Sequence, residues 1–116
     1  MALDEGNHRL FVGFRNPAKV IVYDTASGRE VASFTTSKDA DDIFYDAVNK
    51  QIYVSAGEGA IDIFKQRDAD HYDLVKRVES VQGARTSFFV SELNRLYLAV
   101  PEHKGQEARI QVYQVR

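Results

Sequence analysis

The chain has no cysteine, no tryptophan, two prolines and one methionine among its 116 residues. Without cysteine it has no disulfides, no zinc-thiolate site and no thiol nucleophile, and its redox compartment stays undetermined. No apolar run approaches the roughly 20 residues that a membrane-spanning helix needs. The first residues, MALDEGNHR, are acidic and lack the apolar centre of an export signal. We therefore expect no membrane partner and no export signal in this chain, and the compartment is unknown.

The chain also has no excess of basic charge. Fifteen Lys and Arg face seventeen Asp and Glu, which gives a formal net charge of −2. There is no basic block and no basic patch interleaved with aromatics, so we expect no nucleic-acid partner. Six Tyr and seven Phe, within a hydrophobic fraction of 44%, favour β-sheet in a chain long enough for one domain.

The chain repeats itself three times. Leu10, Ile52 and Leu96 stand 42 and 44 residues apart, each just after an asparagine-bearing turn and at the start of an apolar strand. A second anchor, a short strand that ends in an aromatic, recurs downstream in the same order. Its three copies are Val20 to Tyr23, Ile61 to Phe64 and Ile110 to Tyr113. Two anchors that recur in one order indicate a structural repeat.

Further strands complete the repeat. Ile43 to Asp46 and Thr86 to Val90 precede the asparagine turns and are predicted inner strands, whereas Glu30 to Phe34 and Asp73 to Val78 are predicted outer strands. A four-stranded repeat of about 40 to 45 residues is typical of a β-propeller blade. We therefore predict an all-β, single β-propeller segment over residues 1–116, with no helix of useful length. Its blades are 2–34, lacking most of its inner strand, then 41–78, which is complete, and 84–115, lacking its outer strand.

Three blades in an open row would leave two apolar faces in water. Such faces and unpaired strand edges favour association. The expected partner is the chain itself, as a homodimer that completes a six-bladed ring.

The repeat core NKQIYVSAGEGAIDIF, residues 49–64, resembles the unit of the YVTN-repeat, YncE-like bacterial β-propellers, in which a turn, an "IYV" strand and a "V-x-V-Y-D" strand follow one another. Four further segments resemble the last blades of one loosely gluconolactonase-like branch that has no established reaction. They are Gly57 to Gly59, Asp68 to Tyr72, Gly83 to Ser87 and Tyr97 to Pro101. The resemblance implies the propeller fold. Full-length members carry more blades upstream, usually behind an export signal. The chain therefore resembles their C-terminal half, as a fragment, a truncated gene product or a half that assembles with itself.

In a propeller, the loops joining second to third strands and those joining one blade to the next lie on one face, around the central channel. We predict there a site for a small polar ligand or a protein partner, in a module that binds or acts as a scaffold and is not an enzyme. Asp42 and Arg85 occupy comparable positions in successive blades, and a structural ion pair between them is the favoured interpretation. The candidate ligand-binding residues are Asp41, Asp42, Glu58, Arg85, Thr86 and His103.

The alternative is a lactonase-like hydrolase. Asp41, Asp42 and Glu58 offer oxygens of the kind that calcium prefers, so a divalent cation is a possible cofactor, although no Asp-x-Asp-x-Asp loop is present. His71 lies among acids but is expected at the opposite end of the blades. No serine sits in a Gly-x-Ser-x-Gly elbow, and the three histidines lack zinc-site spacing. We therefore assign no catalytic residue, no metal ligand and no cofactor.

Overall fold

The computed structural model describes residues 1–115 and consists of three antiparallel sheets in sequence order, which we call blades 1 to 3. Blade 1 contains β1 (Ala2–Asp4), β2 (Arg9–Arg15), β3 (Ala18–Asp24) and β4 (Glu30–Thr35). Blade 2 contains β5 (Ala40–Asp46), β6 (Gln51–Ala56), β7 (Ala60–Asp68) and β8 (His71–Glu79). Blade 3 contains β9 (Thr86–Val90), β10 (Arg95–Val100) and β11 (Arg109–Gln114). The predicted all-β architecture of three blades is confirmed.

The two repeated anchors face each other across neighbouring strands. Leu10 lies opposite Tyr23, Ile52 opposite Phe64 and Leu96 opposite Tyr113. Cross-strand pairs of an aliphatic and an aromatic side chain stabilise a sheet. The sequence repeat is therefore a repeated pair between the second and third strand of each blade.

The turn before each second strand explains why the third copy is one residue shorter. His8 and Lys50 adopt left-handed conformations, with φ of 56° and 53°, directly after the repeat asparagines. In the third copy Asn94 itself has φ of 52°. Asparagine tolerates this conformation better than most residues. Asn94 is therefore both the repeat asparagine and the left-handed residue of its turn, which are two separate residues in the other copies. Within residues 1–115 the only helix is the 3₁₀ turn Ser91–Leu93 beside it, and no helix is long and apolar enough to cross a membrane.

Each blade has a front face, turned towards the next blade in sequence, and a rear face. The first core lies between the front of blade 1 and the rear of blade 2, where Phe34 packs against Phe64 with ring centroids 4.3 Å apart. Its buried members are Phe11, Val20, Val22, Ala40, Ile43, Ile52, Val54 and Phe64. The second core joins blades 2 and 3 through Tyr53, Ile61, Ala84, Leu96, Leu98, Val100 and Val115. Both faces of blade 2 are therefore covered.

The structure extends two predicted strands around one turn. Asp68 ends β7, His71 begins β8, and the two residues pair with each other. His71 Nδ1 lies 2.8 Å from Asp68 Oδ1, and Asp70 N donates to the same oxygen at 2.8 Å. These bonds let the Asp68 carboxylate organise a turn of only two residues.

Candidate binding site at the channel end

The loops between blades and the loops between second and third strands meet at one end of the sheets, which we call the channel end. Gly57 N donates to Asp39 O at 2.8 Å, and Gly83 N donates to Gly57 O at 2.7 Å. Gly57 lies between β6 and β7, whereas Asp39 and Gly83 precede β5 and β9. These bonds tie the two interblade loops to a hairpin of blade 2.

A ladder of alternating charges crosses this end. Arg85 Nη1 lies 3.1 Å from Asp39 Oδ2, Arg15 Nε lies 3.7 Å from Asp39 Oδ1, and Arg15 Nη2 lies 3.0 Å from Asp41 Oδ1. The four residues come from the end of β2, the loop before β5, β5 itself and the loop before β9. All four side chains are partly exposed, so each contact contributes less than about 1 kcal/mol to stability. Their effect is to hold two guanidinium groups at the channel end.

A buried carboxylate anchors the same loop from below. Asp62 is fully buried and accepts hydrogen bonds from Ser37 N at 2.6 Å, Ser37 Oγ at 2.9 Å and Arg77 Nε at 2.8 Å. The hydrogen bond to Asp62 raises the pKa of Arg77 above its ordinary value. Ser37 lies two residues before Asp39 in the loop that precedes β5. By holding Ser37, Asp62 therefore fixes the loop that carries Asp39.

The prediction of an ion pair between Asp42 and Arg85 is wrong. Asp42 lies within β5 and its Oδ2 accepts a hydrogen bond from Ser87 N at 2.7 Å, whereas Arg85 pairs with Asp39. The physical reason is depth, since Asp42 contacts β9 between blades 2 and 3, whereas Arg85 lies in the loop before β9. Beside it, Ser55 Oγ and Ser87 Oγ are 2.6 Å apart. Asp42 therefore joins blades 2 and 3.

The other two candidate carboxylates also have separate partners. Asp41 binds Arg15, and Glu58 Oε2 accepts a hydrogen bond from Lys38 N at 2.6 Å. In the described part of the chain no group of three or more His, Asp or Glu could hold a metal ion. The oxygens of Asp41, Asp42 and Glu58 are therefore occupied in three different contacts and do not form a cation cage.

Arg85 and Thr86 line a cavity of about 570 Å³ at the channel end of the front face of blade 3. His103 and Lys104 line a neighbouring cavity of about 170 Å³. Arg109, at the start of β11, lines both. The larger cavity is completed by Gly83, Ala99, Val100, Pro101, Ala108 and Ile110. Three of the six candidate residues therefore lie around Arg109, and the three carboxylates do not.

Polar bonds at the opposite end join blades 1 and 2. Gln66 Nε2 donates to Asp4 Oδ2 at 2.8 Å and Tyr45 Oη donates to Gln66 Oε1 at 2.7 Å. Burial, followed by the charge of Asp4, raises the pKa of Tyr45 to about 12. Burial alone would raise the pKa of Asp4, but hydrogen bonds from Gln66 and Asn7 lower it. These groups bond to one another, which is the arrangement of a structural network.

Sequence reasoning missed Asp39, Arg15, Asp62 and Arg109. Asp62 carried a signal, because an acidic residue between Ile61 and Ile63 in an apolar strand needs buried partners. Asp39 carried none, since its partner Arg85 lies 46 residues away in another loop.

No family model matches the chain, and no curated protein matches it. Among solved structures, BamB from Moraxella catarrhalis, a β-propeller, is similar with a TM-score of 0.69 over 92% of this chain. The chain is a β-propeller segment. The likeness covers 29% of the BamB chain at 13% sequence identity, so it shows the fold alone.

Proposed function

We propose that the chain is a non-enzymatic binding module whose channel end recognises a small polar ligand that carries a carboxylate or a similar anionic group. The observation that carries the proposal is the cavity of about 570 Å³ with Arg85, Thr86 and Arg109 in its lining. Its volume lies within the range of small-molecule sites. Ala99 and Ile110 supply apolar wall, and the guanidinium groups supply paired donors of the geometry that carboxylates accept.

The charge ladder supports this assignment of Arg85. Among the described residues, only the Nη1 of Arg85 donates to Asp39, which leaves its other N–H groups for a ligand. A guanidinium already held by a carboxylate loses less side-chain entropy on binding than a free one.

The second part of the proposal concerns the open faces. Phe88 and Ile110 on the front of blade 3 are 64% and 60% exposed, and Leu3 on the rear of blade 1 is 48% exposed. On the front face of blade 3, Tyr97 lies opposite Val112. The equivalent cross-strand pairs are Phe11 with Val22 in blade 1 and Tyr53 with Ile63 in blade 2. In those two blades this face is already packed on a following blade.

The rear face of blade 1 has the same pattern as the rear faces of blades 2 and 3, which pack on the front faces of blades 1 and 2. Leu10 and Val12 occupy the positions of Ile52 and Val54 in blade 2, and of Leu96 and Leu98 in blade 3. The front of blade 3 therefore fits the rear of blade 1 in a second copy. Two such contacts between a blade 3 and a blade 1 close a six-bladed ring from two chains. The cavity lies at the channel end of that front face, so the second copy would form its missing wall.

The repeat NKQIYVSAGEGAIDIF further supports placing the chain with the YVTN-repeat, YncE-like propellers. Export, which is frequent among the full-length proteins that this repeat resembles, remains a property of those proteins.

The ring is tested by light scattering after size exclusion, at micromolar and at tenfold lower concentration. A stable particle of two chains is expected. A folded monomer at both concentrations would overturn ring closure.

The binding site is tested by adding citrate and succinate to the ¹⁵N-labelled protein. Amide shifts are expected near Arg85 and Arg109, and Arg109→Gln is expected to weaken binding at least tenfold. Arg67→Gln is the matched control, because Arg67 is an exposed arginine on β7 that pairs with Asp73 and does not line the cavity. Equal losses in both variants, or shifts outside the channel end, would contradict the proposed site.

A further inference from the structure

The loop between the second and third strands of blade 3 is longer than its two counterparts. β2 and β3 are joined by two residues and β6 and β7 by three, whereas β10 and β11 are joined by the eight residues from Pro101 to Ala108. Two or three residues are enough to join these strands in the other blades, so the sheet does not need the added length. Binding residues are found disproportionately on loops that a rigid scaffold holds in place.

The tip of this loop is a tight β-hairpin. His103 N donates to Gln106 O at 3.1 Å, and Gln106 N donates to His103 O at 3.0 Å. The two residues between them, Lys104 and Gly105, both have positive φ, of 50° and 81°. A two-residue turn of this kind suits paired strands because its twist matches theirs. The hairpin therefore holds its side chains in place before any ligand arrives.

The hairpin lines the cavity of about 170 Å³ at the channel end. Its contribution is His103, Lys104 and Gln106, which can all donate hydrogen bonds. Val81 from the loop before β9 and Arg109 at the start of β11 also line the cavity. The cavity is therefore built by two loops of one chain and does not require a neighbouring copy.

This cavity adjoins the larger one of about 570 Å³, because the two share Val100, Pro101 and Arg109 in their linings. Arg85 also lines the larger cavity and Lys104 the smaller, whereas among the described residues no Asp or Glu lines either. Within residues 1–115, neither Lys104 nor Arg109 takes part in an ion pair. Three positive charges therefore lie around two adjoining cavities.

We propose that the channel end recognises a ligand with two anionic groups, one bound by Arg85 and Arg109 in the larger cavity and the other by Lys104 and His103 in the smaller. This inference rests on the proposed function, which places the first anionic group, and adds the second. A single carboxylate would leave an excess of positive charge at the site, and a second anionic group would neutralise it. Two of the three shared lining residues are apolar, so the segment between the two groups is aliphatic. The ligand class is a dicarboxylate or a related compact dianion.

The test compares butyrate with succinate, which has the same carbon skeleton and one more carboxylate. Glutarate and adipate increase the spacing between the two groups. Each compound is titrated into the ¹⁵N-labelled protein at constant ionic strength. Butyrate is expected to shift amides near Arg85 and Arg109. The best dicarboxylate is expected to shift those of residues 103–106 as well, and to bind at least tenfold more tightly than butyrate.

The chain supplies a matched pair of lysines for this test. Lys104 and Lys50 are both exposed turn residues with positive φ, of 50° and 53°, but Lys50 lines neither cavity. Lys104→Gln is expected to reduce the preference for the best dicarboxylate over butyrate at least fivefold. Lys50→Gln, which removes the same charge from the opposite end of the blades, is expected to leave that preference unchanged.

Three outcomes would contradict the second anionic group. Equal affinity for butyrate and for every dicarboxylate would overturn it and leave the proposed function intact. An unchanged preference in Lys104→Gln, or an equal loss in Lys50→Gln, would also overturn it, because the smaller cavity would then not determine the preference. If no carboxylate shifts amides at the channel end, the proposed function fails and this inference fails with it.

Discussion

Replacing Asp62 by alanine is expected to be among the most damaging single changes at the channel end. The side chain is 0% exposed and accepts three hydrogen bonds, two of them from Ser37, which is itself buried. Asp62→Ala leaves the Ser37 N–H and hydroxyl without their acceptor. Each buried, unpaired donor costs about 1 to 3 kcal/mol.

The third donor contributes less, because Arg77 is half exposed and its guanidinium can turn to water. The two Ser37 donors together give a loss of about 2 to 6 kcal/mol in the free energy of unfolding, or roughly 8 to 24 °C in Tm for a domain of this size. Asp62→Asn keeps one acceptor oxygen and is expected to lose about half as much.

Urea unfolding followed by far-UV circular dichroism measures the loss, with Asp41→Ala as the control. Asp41 also pairs with an arginine at the channel end, at 3.0 Å, but is exposed. Its removal is expected to cost less than about 1 kcal/mol. If Asp62→Ala and Asp41→Ala destabilise the protein equally, burial does not determine the strength of these contacts and the reasoning fails.

Two further predictions concern packing and pH. A Cβ added at Gly13 would lie 2.8 Å from Ile43 Cδ1, so Gly13→Ala is expected to lower the free energy of unfolding by about 1 to 3 kcal/mol. Ile43→Val removes that atom and is expected to recover part of the loss in a double-mutant cycle. Strictly additive losses in the two variants would contradict the contact. The hydrogen bond to Asp68 raises the pKa of His71 above 6.5, so its stabilising effect is present below pH 6.5 and is lost as the pH rises through the folded value. An NMR titration is expected to show a lower His71 pKa in Asp68→Asn, and an unchanged value would refute the pairing.

Strand positions were predictable because they follow from local pattern. Leu10, Ile52 and Leu96 start apolar strands after turn residues, and each occupies the same place in its blade. The residues at which strands end were less predictable. The turn after β7, for example, depends on how Asp68 bonds to His71 and Asp70.

For the candidate site, the sequence predicted where Arg85 and Thr86 lie but not which residues they contact. Arg85 and Thr86 were expected at the channel end and line its cavity. Which carboxylate meets Arg85 depends on where two distant loops cross, and Asp39, not Asp42, is at that crossing. Sequence neighbours cannot report such a contact, because it arises only after the blades have packed.

The covering of blade 2 on both sides has a consequence for how the molecule opens. Of the three described sheets it alone is enclosed between two cores, and contacts run between adjacent blades. A linear array of this kind loses its ends first. In a single, unassociated chain, blades 1 and 3 can therefore detach in separate, partial openings, while the amides of β6 and β7 exchange with solvent only when the whole array has come apart.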